Sequence, residues 1–149
     1  MDVNDKIRSF KPTYSTRDGI LFVASFLKND MYYNGDAMYH FLQEVYPLIL
    51  EDLPTMPLTI VGRDIPQVLY DYVMNNIRLD RLVTFLESPK DISNLYDHTR
   101  LLVAPHLYGS GIQYKVRLFC LLSRPLYTYL IVTNPLTFFG FSICIIVGN

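Results

Sequence analysis

Gly19-Ile20-Leu21-Phe22-Val23-Ala24-Ser25-Phe26 is a continuous, largely apolar run of strand length. A strand wetted on one face alternates apolar with polar residues. A run without that alternation belongs to a strand covered on both faces, as in a parallel sheet between helices. Downstream, Asn34 is placed to cap a helix whose apolar residues Ala37, Met38, Phe41, Leu42 and Val45 recur on one face until Pro47. Pro57-Leu58-Thr59-Ile60-Val61-Gly62 reads as a second strand ending at a glycine, and Pro66 opens a second helix striped by Val68, Leu69, Tyr72 and Val73. Leu82-Val83-Thr84-Phe85-Leu86 is the third strand. A short helix through Asp91-Ile92-Ser93-Asn94-Leu95-Tyr96 follows, then a fourth strand, Arg100-Leu101-Leu102-Val103-Ala104-Pro105. Strands alternating with helices predict an α/β fold: a Rossmann-like, doubly wound parallel sheet in three α/β/α layers with right-handed crossovers.

Such sheets bind ligands beyond the carboxyl ends of their strands. The fourth strand ends in Val103-Ala104-Pro105-His106-Leu107-Tyr108-Gly109-Ser110-Gly111-Ile112-Gln113-Tyr114-Lys115-Val116. Glycines let the backbone approach an anion, a helix start offers unpaired N–H groups, and a lysine adds a full positive charge. The stretch therefore has the composition of a phosphate site, although a tight turn followed by a surface lysine has the same composition.

The chain has 149 residues, 50% of them hydrophobic and 14% aromatic, twelve being tyrosines. One domain with a sizeable core is expected, the tyrosines packing at helix–sheet boundaries. A net charge of −1 gives no electrostatic reason to expect a nucleic-acid partner. Cys120 and Cys144 lie in apolar surroundings without metal-knuckle spacing, which points to free thiols in a reducing, cytoplasmic compartment. The segment Met1-Asp2-Val3-Asn4-Asp5-Lys6 lacks the basic start and apolar core of a signal peptide. His40, His98 and His106 are not at metal-ligand spacing, and no serine nucleophile elbow is present. Asp36 and Glu44 read as a solvated helix face.

From about Asp18 to Val116 the chain resembles the C-terminal, nucleotide-sugar-binding domain of GT-B glycosyltransferases of the glycosyl-transferases-group-1 type. The resemblance rests on six pieces in order: Ile20 to Phe26, Asn34-Gly35-Asp36-Ala37, Phe41 to Pro47, Leu58 to Gly62, Leu95 to Pro105, and Gly109 to Val116. It implies one half of a GT-B fold, binding a nucleotide-sugar donor for sugar transfer to an acceptor. It also implies that Gly109, Ser110, Gly111 and Lys115 hold the donor diphosphate, without a metal or other cofactor. A lysine there offsets the charge growing on the leaving diphosphate. Gly62 and His106 stand as further candidate donor contacts. Gly62 either ends the second strand against a ligand or turns it tightly. Arg100 reads as a surface strand start. No catalytic residue is assigned.

The departures are as specific as the matches. The family's ribose-binding glutamate, three residues after the lysine, is replaced by Leu118. Ala24 stands where the family's first strand ends in glycine, and the basic pair that often follows is missing, Lys28 being an approximate substitute. The family's acceptor-binding N-terminal domain is not recognisable, so the chain is expected to be a fragment, inactive alone. The expected organisation is an extension over 1–17, an incomplete Rossmann-like domain over 18–124 and an apolar tail over 125–149. From Pro125 to Asn149 no residue is charged. That tail reads as a membrane-spanning or membrane-associated segment, as a strand from Leu126 to Val132 with an uncovered apolar end, or as the product of a frame lost after Val116. The alternative function is a degenerate, non-catalytic Rossmann-like module, membrane-associated through the tail.

Overall fold

A computed structural model describes residues 14–26, 33–106, 127–133 and 141–147, with side chains over 15–26 and 33–105. After a 3-10 turn at Tyr14–Thr16 come β1 (Asp18–Ser25), α1 (Asn34–His40), a π-helical segment (Phe41–Val45) and α2 (Tyr46–Asp52). Then follow β2 (Leu58–Arg63), α3 (Gln67–Met74), α4 (Ile77–Leu82), β3 (Val83–Glu87), α5 (Ser93–His98) and β4 (Thr99–His106). Two further strands, β5 (Tyr127–Thr133) and β6 (Phe141–Val147), complete the described elements. The first four strands are parallel in the order β3-β2-β1-β4, the Rossmann-like α/β arrangement that the strand–helix alternation predicts. Beyond β4 the sheet turns antiparallel, with β6 on β4 and β5 on β6. The uncharged tail thus contributes two strands, where one of the three readings open from the sequence has a single strand, Leu126 to Val132, with an uncovered end. Among the described residues no helix is long and apolar enough to cross a membrane.

Alternation along each strand sorts the core onto two faces. On one face Ile20 and Phe22 of β1, Leu58 and Ile60 of β2, Val83 of β3 and Val103 of β4 pack with Met38, Phe41, Leu42, Tyr46, Leu50, Leu69, Val73 and Leu79 from α1 through α4. On the other, Leu21, Val61, Leu102 and Ala104 pack with Tyr96 of α5, flanked by Ile92 and Leu95. Helices on both faces explain why the strands read as unbroken apolar runs.

Three local features differ from the sequence reading. The first helix does not stop at Pro47. Its Tyr46 N–H donates to the Phe41 carbonyl, five residues back, and Pro47 falls in the first turn of α2. A proline inside an α-helix loses one hydrogen bond and clashes with the carbonyl four residues earlier; the wider π turn accommodates both faults. Tyr46 and Leu50 are thereby kept on the buried side with Phe41 and Leu42. Burial pushes the Tyr46 hydroxyl pKa up to about 12, and that hydroxyl donates to the Met56 carbonyl at 2.6 Å.

The second difference is α4, which the sequence reading does not include; it places only Leu82, the last residue of this helix, in the third strand. Its N-cap is Asn76, whose side-chain oxygen accepts from the N–H groups of Arg78 (3.1 Å) and Leu79 (3.2 Å). The Arg78 guanidinium donates to the Leu50 carbonyl, tying α4 to α2. Asn76→Ala is expected to cost about 1 kcal/mol in urea melts, with Asn76→Asp largely retaining stability. Equal stabilities of the alanine variant and the parent would show that the cap contributes nothing. The third difference is Val68, which is 46% exposed, while Leu69 and Val73 carry the buried stripe of α3.

Candidate functional site

The fold directs attention to the carboxyl edge of the parallel sheet. There β1 sends the chain to helices on one face, whereas β4, which enters from α5, borders it on the other side. This is the topological switch point at which open α/β sheets bind ligands. The hydrogen-bonded registers differ on the two sides of β1. Pairing of β1 with β2 runs to Ser25–Arg63, the last residues of both strands. Pairing of β1 with β4 stops at Leu21–Leu102, so the two strands lie unpaired over Phe22–Ser25 and Val103–His106. Beyond that position Phe22, Val103 and Ala104 remain fully buried in the core, and β4 runs on to His106.

The near wall is fixed by local contacts. Asn34 was expected to cap the first helix. Its side chain instead donates from Nδ2 to the Ser25 carbonyl at 2.9 Å, and Tyr33 occupies the cap position with no side-chain capping bond. Asn34 therefore ties the start of α1 to the end of β1. Tyr33 itself adopts φ 57°. Asp64, just after β2, and Ser88, just after β3, also have positive φ (57° and 47°). All three lie where the chain leaves the carboxyl edge, in a region that L-residues other than Asn and Asp seldom occupy. The Ser88 N–H donates to the Gly62 carbonyl at 2.7 Å, and the Phe26 N–H to the Arg63 carbonyl at 3.0 Å, so the strand ends are laced together beyond the ladders.

Gly62 is buried within β2, paired with Ala24 on one side and Glu87 on the other. A Cβ there would lie 2.6 Å from both the Ala24 carbonyl oxygen and the Phe26 ring. The space beside Gly62 is thus filled by Phe26, and close packing accounts for the glycine. His106 is the last residue of β4, paired in register with Ser142 of β6. Gly109, Ser110, Gly111 and Lys115, the proposed diphosphate contacts, lie outside the described residues, as do Lys28 and Leu118.

Other candidates fall elsewhere. Arg100 is half-buried at the amino edge, its Nε donating to the Arg17 carbonyl at 3.1 Å. His98 ends α5, with Nδ1 2.8 Å from the Asn94 carbonyl oxygen. Tyr70 packs against Phe85 with tilted rings, centroids 4.2 Å apart, and its hydroxyl donates to Glu87 at 3.4 Å. Burial first, then the Glu87 charge, raises the pKa of that hydroxyl. Tyr39 and Tyr72 meet edge to face at 5.1 Å, so these tyrosines are packing residues. Among the described residues no group of three or more His, Cys, Asp or Glu could hold a metal ion.

What this edge offers chemically is a polar rim above an apolar sheet. Ser25 and Arg63 are exposed at the ends of paired strands. The sequence pattern located the strand ends but not the Ser25–Arg63 pairing, which depends on strand order. Compared with protein-family models, with curated proteins and with solved structures, the chain matches none of them.

Proposed function

We propose that the chain is the donor-binding half of a GT-B-type glycosyltransferase, holding a nucleotide-diphosphate sugar whose sugar is passed to an acceptor held by a second domain. The observation that carries this reading is the place of β4, which lies beside β1 and ends at His106 on the carboxyl edge of the parallel sheet, with Gly109-Ser110-Gly111 and Lys115 following it in the sequence. In the reaction the bond from the sugar's anomeric carbon to the phosphate oxygen breaks, its electron pair leaving on the diphosphate. The acceptor hydroxyl forms the new bond to that carbon, and its proton passes to the departing diphosphate oxygen. Lys115 offsets the charge developing on the leaving group, and Gly109 and Gly111 keep the approach free of side chains. His106, at the root of the loop, is a further candidate contact.

A nucleoside diphosphate at a hundred times its Kd is expected to stabilise the fold by about 2.7 kcal/mol. Thermal melts of the parent and of Lys115→Ala test this: the shift should appear in the first and vanish in the second. An unshifted parent at millimolar nucleotide favours the non-catalytic Rossmann-like module. Leu118, in the place of a ribose-binding carboxylate, is the residue that favours that second reading. Against membrane association through the tail stands the pairing of β5 and β6 within the sheet, which satisfies backbone groups of the apolar residues there.

A further inference from the structure

We propose that β5 is a self-association edge: two copies of this chain join β5 to β5, antiparallel about a twofold axis at Leu130, and so continue one sheet through both. Nothing in this association depends on donor binding. Among the described strands β3 and β5 are the two edges of the sheet. An edge strand turns the N–H and C=O groups of alternate residues away from the sheet, and a further strand is what satisfies them in kind. Natural sheets blunt their edges with short strands, charges, prolines or bulges. β3 does so: it has five residues, ends at the exposed Glu87 and is flanked by the exposed Arg81 and Lys90. β5 has none of these devices. Tyr127-Thr128-Tyr129-Leu130-Ile131-Val132-Thr133 runs for seven residues without charge, proline or glycine. Its pairing with β6 advances one residue at a time from Tyr127–Val147 to Thr133–Phe141, so no bulge twists the edge away. Among the described elements its substantial contacts are with β6 alone.

Register identifies the occupant. In an antiparallel pair, residues with outward-facing backbone groups must oppose one another, so a strand paired with its own copy is centred on a residue and never between two. For a seven-residue strand, only a centre at Leu130 leaves no residue unpaired. Tyr127 then lies opposite Thr133 of the second copy, Thr128 opposite Val132, and Tyr129 opposite Ile131. Each pair sets an aromatic residue or a threonine against a β-branched one, combinations that stabilise antiparallel pairs, and no like charges meet. The pairing supplies roughly six to eight main-chain hydrogen bonds. The same operation on β3, centred on Phe85, engages five residues and sets Glu87 against Val83. A second copy matches β5 in length and in lack of charge by identity, whereas a foreign strand has to match both separately. A twofold axis also uses the β5 edge of both copies, which closes the assembly at two.

Sedimentation equilibrium of the full chain, from micromolar to hundreds of micromolar, tests the edge. The parent should reach twice the mass of one chain and no more. Leu130→Lys places two like charges face to face at the axis and should weaken dimerisation at least tenfold. Leu130→Glu should do the same, and an equimolar mixture of the two variants should dimerise again. A cross-link reads the register without a disruptive charge. With Cys120→Ser and Cys144→Ala in place, Leu130→Cys brings two thiols to opposed positions whose Cα atoms lie about 4.5–5.5 Å apart, within the span of a disulfide. Tyr127→Cys leaves them about 20 Å apart. Copper-phenanthroline oxidation should therefore link the first pair of chains and not the second. A parent that stays monomeric throughout overturns the assignment. So does a dimer that Leu130→Lys leaves intact, or one that cross-links through Tyr127→Cys and not Leu130→Cys. A ladder of larger species means that β5 adds to some other surface, and overturns it equally.

Discussion

Phe22→Ala is expected to destabilise the fold by about 3–5 kcal/mol, a large part of the 5–15 kcal/mol typical of a domain. Phe22 is fully buried on β1, the strand flanked by β2 and β4. Its ring centroid lies 6.0 Å from that of Phe26, and it faces the core built from α1 to α4. Truncation removes the transfer free energy of the ring and leaves a cavity, because a strand inside the sheet, paired here with Ile60 of β2, has little freedom to collapse inward. Ile77→Ala supplies the contrast, since Ile77 is 77% exposed and its truncation should stay within about 0.5 kcal/mol. Urea melts of both variants measure the difference. A loss below about 1 kcal/mol for Phe22→Ala would contradict its place in the core.

The second large effect concerns Gly62. Gly62→Ala is expected to cost about 1–3 kcal/mol, and Gly62→Val more, because the added atoms meet a neighbouring strand's carbonyl as well as a ring. The two closest approaches, each 2.6 Å, differ in kind. The Phe26 ring is able to turn aside, whereas the Ala24 carbonyl is held in the β1–β2 ladder. Phe26→Leu combined with Gly62→Ala should therefore cost less than the sum of the single changes, without restoring the parent. Strict additivity of the two losses would show that Phe26 is not what limits the space beside Gly62. The same experiment bears on the site, since Gly62 read as a donor contact predicts loss of ligand affinity at unchanged stability.

The sequence made the strands legible because each is a short apolar run set off by glycine, proline or polar residues. Gly19 to Phe26 and Pro57 to Gly62 were recognisable to within a residue or two. Helix α4 was not, since six residues carry too little periodicity. Its one signal was Asn76 ahead of Ile77, an N-cap residue before an apolar one. Pro47 misled for the opposite reason: its local preference is strong, yet the buried row Phe41, Leu42, Tyr46 and Leu50 rewarded continuing the helix through a widened turn. Asn34 misled because cap residues are also good side-chain donors, and a strand end lay closer to hand than the helix's own N–H groups.

By itself, the sequence determined that the chain alternates strands with helices, that its strands are covered on both faces, and that Gly109, Gly111 and Lys115 follow the fourth strand along the chain. Those are properties of neighbours along the chain, which composition and period record. Only the tertiary structure decided the order β3-β2-β1-β4, the end of β1–β4 pairing at Leu21–Leu102, the use of Gly62 by Phe26, and the meeting of Arg63 with Ser25. Each of these brings together residues distant in sequence through lateral pairing of strands. The apolar runs are nearly interchangeable in hydropathy, so pairing partners are chosen by how the helices between them pack.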